Sequence, residues 1–135
     1  MLERRMKNTP RSTPPRNSLD APIVGKISHL YKELYRIGKK IPKRDRFGLH
    51  ADIESRGRAC LTLAVEAALT GPSEKRPLVR RLQVNLETLT HLVRMEHELK
   101  IIDEETWVPF ARLLVEISKN ATSWLTYLNG NLQKQ

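Results

Sequence analysis

Large aliphatic residues recur along this chain at helical intervals and not at the alternating intervals of a strand. Ile23, Ile27, Leu30, Leu34, Ile37 and Ile41 follow one another in steps of four and three, which puts them on one helix face. The spacing predicts a first helix from Asp20 to about Lys40. Pro22 falls in its first turn, where a missing N–H is tolerated, and Gly38 and Pro42 weaken and end it. A second stripe, Leu49, Ile53, Gly57, Cys60, Ala64 and Ala67, predicts a helix over about Arg46 to Leu69. Most of its side chains are small, so a neighbouring helix can approach closely. Thr70-Gly71-Pro72-Ser73 breaks the pattern.

A third helix is expected from Glu74–Pro77 to about Lys100, buried through Val79, Leu82, Leu86, Leu89 and Val93, with Leu92, Met95 and Leu99 then taking over the apolar side. Asp103 is placed to cap a fourth helix, and Glu104 and Glu105 suit its positive N-terminal dipole. That helix has the most regular seam: Trp107, Phe110, Leu114, Ile117, Ala121, Trp124 and Leu128. Pro109 is expected to disturb its first turn, Gly130 to serve as its C′ residue, and residues 131–135 to fray. Four helices of about twenty residues joined by short turns pack as antiparallel neighbours. The expected fold is therefore all-α, an up-down-up-down four-helix bundle over residues 20–130, with all four seams apolar.

Residues 1–19 differ in kind. They hold three prolines and five basic residues with little apolar content, too little to offset the entropy of ordering, and are expected to form a disordered basic arm. The whole of the formal +9 charge resides in residues 1–46, the remainder summing to zero. A balance of this sign and size points to a polyanionic partner, nucleic acid before membrane. No apolar run approaches the roughly 20 residues that span a bilayer, and the single cysteine, Cys60, lies on an apolar stripe. A soluble, cytoplasmic protein with Cys60 as a buried small hydrophobe is expected.

Catalytic patterns are absent from the sequence. No Glu-x-x-His pair of the di-iron bundles occurs. His29, His50, His91 and His97 lack metal-ligand spacing and are expected at the surface or half-buried. Gly71-Pro72-Ser73-Glu74-Lys75 lacks the spacing of a phosphate loop. No catalytic residue, metal or cofactor is expected, and a small RNA nuclease would need clustered acids or a histidine pair that the chain does not show.

The basic residues carry more information. Lys32, Arg36, Lys39 and Lys43 form a stripe at the C-terminal end of the first helix, where cations suit the dipole and a solvated face explains them. Arg44 and Arg46 at the start of the second helix, and Lys75, Arg76, Arg80 and Arg81 around the start of the third, oppose the dipole there. Stability does not account for them. Topology places one cluster at each end of the bundle, with the acids at 103–105 partly offsetting the first, and both clusters are candidates for polyanion binding.

The stretch from Tyr35 to Leu69, with Ile41-Pro42-Lys43, Arg46-Phe47-Gly48-Leu49 and Ile53 ahead of a small-residue helix, resembles the four-helix-bundle family that includes proteins encoded in intervening sequences of large-subunit ribosomal RNA genes. The second half, Leu82 to Leu99, Ile102-Asp103-Glu104-Glu105 and Ile117 to Leu125 with Ser123-Trp124-Leu125, is more similar to its Avd branch, the accessory variability determinants of diversity-generating retroelements. The resemblance covers about residues 23–128. Where branch members often carry a glycine pair before the late tryptophan, this chain has Ala121-Thr122-Ser123. It implies a homopentamer of bundles that binds a reverse transcriptase and its template RNA in mutagenic retrohoming, without catalytic residues of its own. In such a ring Arg36, Lys39, Lys40, Lys43, Arg44 and Arg46 would form one basic rim and Lys75, Arg76, Arg80 and Arg81 the other. The alternative is a homo-oligomer of the intervening-sequence type with no reverse transcriptase partner.

Overall fold

A computed structural model describes the backbone of residues 20–134 and the side chains of residues 22–130. The basic arm expected over residues 1–19 lies outside the described residues. Helix α1 spans Asp20–Gly38, a single turn α2 spans Lys43–Arg46, α3 spans Leu49–Leu69, α4 spans Pro72–Glu98 and α5 spans Glu104–Lys134. The four long helices pack in a closed square, α1 on α3, α3 on α4, α4 on α5 and α5 back on α1. Successive helices run antiparallel, as short connections require. No described helix is long and apolar enough to cross a membrane.

The core is built from the periodic residues. Ile23, Ile27, Leu30 and Leu34 of α1, Ile53, Cys60, Ala64 and Ala67 of α3, Val79 through Val93 of α4, and Phe110 through Leu128 of α5 are buried. Burial pushes the Cys60 thiol up to about 12, so it packs as a small apolar group. At Gly57 the close approach expected of α1 and α3 is realised: an added Cβ would lie 3.3 Å from Tyr31 Cδ1 and 3.6 Å from Leu34 Cδ1.

Several helix boundaries differ from the sequence reading, among them the start of α4, at Pro72 and not within 74–77. The second helix starts at Leu49, and Lys43–Arg46 form a separate turn, because Gly48 takes φ −104° and ψ −108°. A Cβ there would meet the Arg44 carbonyl at 3.1 Å, a backbone atom that cannot swing aside. Helix α4 stops at Glu98 because Lys100 adopts φ 62°. Ile101 and Lys100 then donate to the carbonyls of Glu96 and His97 at 2.8 and 3.0 Å, the Schellman arrangement with lysine where glycine is usual. At the other end of the chain, α5 is helical through Pro109 and past Gly130, since no glycine takes a positive φ.

The expected apolar seams are interrupted by buried polar side chains at His50, Lys75 and Glu96. Beyond Val93 the three-four rhythm continues to Glu96, which is 0% exposed, while Met95 and Leu99 face solvent. His50, expected at or near the surface, is also 0% exposed. The two miss the apolar rule together because they meet: His50 Nδ1 lies 2.8 Å from Glu96 Oε2. The other ring nitrogen, Nε2, lies 2.8 Å from the Leu34 carbonyl and 3.5 Å from Glu54 Oε2. A carbonyl only accepts, so Nε2 carries a proton. Burial alone would lower the imidazole pKa, but the hydrogen bond and charge of Glu96, with Leu34 and Glu54, raise it above its ordinary value. The contact, with the Leu34 carbonyl, ties α1, α3 and α4 together. Glu96 Oε1 is buried with no hydrogen-bond partner.

Candidate nucleic-acid interface

The α1–α3 connection is held from below and presents its cations outward. Ile41 is buried and anchors it. Arg46 and Phe47 then donate backbone N–H groups to the Pro42 and Lys43 carbonyls at 2.8 and 3.1 Å, which closes the α2 turn. The Arg46 guanidinium reaches back to the Ile41 carbonyl from Nε and Nη2, each at 3.3 Å, and sits 5.9 Å from the centre of the Phe47 ring. A guanidinium fits this place because it donates from two nitrogens and stacks at once.

Of the six residues expected on this rim, Lys39, Lys40, Lys43 and Arg44 are exposed and form no ion pair among the described residues. Arg36 is paired with Glu33 one turn earlier. Arg46 is exposed but braces the turn. The structure therefore separates a displayed set, Lys39, Lys40, Lys43 and Arg44, from two cations with local work. Beside them, Asp103 Oδ1 accepts the Thr106 N–H at 2.9 Å; the Thr106 side chain first and this backbone bond second, with a smaller contribution from Lys40, hold its carboxyl below the usual range. The acidic turn thus caps α5 as expected and partly offsets the rim.

The cluster at the opposite end is thinner than expected. Lys75 is only 6% exposed, its ammonium 5.5 Å from the Trp124 ring centre, so the charge is directed into the bundle end and not to a partner. Its position was readable in the sequence, since Lys75, Val79, Leu82 and Leu86 share one stripe. Arg76, Arg80 and Arg81 are exposed, with Arg80 donating to Gln83 Oε1 at 2.8 Å.

The remaining polar groups are distributed rather than convergent. His97 bonds Glu104 at 2.8 Å and stacks on Trp107, fastening the α4–α5 turn. His91 lies 3.7 Å from Glu87 on the surface. Among the described residues no group of three His, Cys, Asp or Glu side chains could hold a metal ion. A groove of about 590 Å³ between α1 and α5 has Ile37, Phe110 and Leu113 in its lining, with His29, Glu33 and Glu116 beside them. Glu33 and Glu116 are engaged by Arg36 and Lys26.

One residue of the interface was passed over in the sequence reading. Phe47 is 69% exposed, in the middle of the basic turn. Its signal was an aromatic ring interleaved with Lys43, Arg44 and Arg46 outside every apolar stripe. No protein-family model matches this chain, and no curated protein matches it.

Proposed function

We propose that the protein is a non-catalytic accessory factor that binds nucleic acid through the rim formed by Lys39, Lys40, Lys43 and Arg44, with Arg76, Arg80 and Arg81 as a weaker second surface. The observation that carries this reading is the displayed set: four cations within six residues, exposed and without ion pairs among the described residues, on a turn whose backbone is fixed from below. Like charges held this close repel one another and cost stability. A polyanion that neutralises them and releases its counterions relieves that cost.

The resemblance to the Avd family supplies the rest of the proposal. The nucleic acid is the template RNA of a diversity-generating retroelement, the protein partner is its reverse transcriptase, and the particle is a homopentamer acting in the cytoplasm. Replacing Lys43 and Arg44 by Glu should weaken RNA binding at moderate salt by at least tenfold while the helical circular dichroism stays unchanged. Arg46 is left intact because it also braces the turn. Unchanged affinity in the double variant would remove this rim from the proposal.

A further inference from the structure

The exposed phenylalanine on the rim extends the proposed function and rests on it. Phe47 is 69% exposed on the turn, and its backbone N–H is used by the Lys43 carbonyl. A large apolar ring in water forgoes the stabilisation that burial gives. Stability does not explain its presence there. The Arg46 guanidinium lies 5.9 Å from the ring centre and is itself tied to the Ile41 carbonyl by two hydrogen bonds, so a cation anchored to the turn sits beside a ring that is mostly exposed.

We propose that this turn binds single-stranded nucleic acid, with an unpaired base stacked on Phe47 and the flanking phosphates held by Lys43 and Arg44. The combination of a ring and adjacent cations selects strandedness. In a duplex the base faces are covered by their neighbours, and only phosphates and groove edges are offered to a protein. In a single strand each base has a free face, and stacking on an aromatic side chain beside a positive groove is the usual mode of recognition. Phosphate and base face are common to RNA and DNA, so the site as built takes either; its selectivity is for unpaired over paired.

The test uses the full chain and fluorescein-labelled twelve-nucleotide RNA and DNA strands, free and annealed, titrated over a range of salt. The unvaried protein should bind the free strands more tightly than the duplexes. Phe47→Ala should weaken single-strand binding by roughly ten- to a hundredfold without changing the salt slope. Phe47→Leu, which keeps bulk but not the flat ring, should behave like Phe47→Ala, and Phe47→Trp should retain binding. Lys43→Gln with Arg44→Gln should instead lower the slope of log K against log salt by about 1.4, roughly 0.7 for each lost phosphate contact. Phe47 is exposed, so these variants leave the core untouched. If the charge variants lose binding and Phe47→Ala does not, the stacking site is overturned while the rim survives. If no oligonucleotide binds the unvaried protein, the nucleic-acid function fails with it.

Discussion

His50 and Glu96 are titratable side chains buried in a mostly aliphatic core, and their contact sets a stability that depends on pH. The folded-state pKa of His50 is raised, so the proton is held more tightly in the folded chain than in the unfolded one, where it leaves near pH 6.5. The stabilisation is therefore complete below about pH 6.5 and is lost as pH rises through the higher folded-state value. Urea denaturation of the unvaried chain should show stability falling over that window relative to His50→Gln, and parallel profiles would exclude the pair as the cause. His50→Ala should cost about 3–5 kcal/mol, since it leaves the Glu96 carboxylate buried without its partner. Replacing both residues by leucine should be near neutral or stabilising, because it removes two desolvated charges at once. Neither residue was readable singly: each breaks the apolar pattern of its own helix, and only their meeting across α3 and α4 makes burial tolerable.

At the scale of the element, α3 packs between α1 and α4. Its stripe of Gly57, Cys60, Ala64 and Ala67 was legible as a close-packing surface, and Tyr31 and Leu34 of α1 fill the space at Gly57. Gly57→Leu should overpack this contact and destabilise the bundle by about 1–3 kcal/mol, measured by thermal or urea unfolding. A stability equal to that of the unvaried chain would show that α1 moves aside freely. The ends of elements were less legible than their middles. Whether Arg46 begins α3 or closes α2 depends on the backbone angles of Gly48, and whether α4 ends at Glu98 depends on Lys100 entering a left-handed conformation that its residue type disfavours. Both are settled by carbonyls contributed by neighbouring turns, which periodicity does not describe.

For the whole molecule, the arrangement of charge matters more than its amount. An up-down bundle places the α1–α3 turn at one end and the start of α4 at the other, so a basic sequence becomes two separated patches of unequal strength. The proposed pentamer turns the stronger patch into a ring and so multiplies weak contacts along one nucleic acid chain. Light scattering should then give a particle of five times the 15.6 kDa chain mass at moderate salt, persisting at high salt while bound RNA is shed. A monomer at both salt concentrations would remove the ring and leave each rim to act alone.

The sequence by itself determined the helices, their order, their buried faces and the two places where cations collect. These follow from local rules, a repeat of three and four and a few turn residues, that act between neighbours along the chain. Which cations are displayed and which are used internally was decided in the folded structure, by local pairing for Arg36 and Arg46 and by tertiary contact for Lys75. Lys75 is drawn onto Trp124, Arg36 is held by Glu33, and Arg46 is spent on the Ile41 carbonyl, whereas Lys39, Lys40, Lys43 and Arg44 remain outward beside Phe47. The physical reason is that a charge or a ring is committed by whatever group faces it, and for Lys75 and for His50 the facing group comes from another helix.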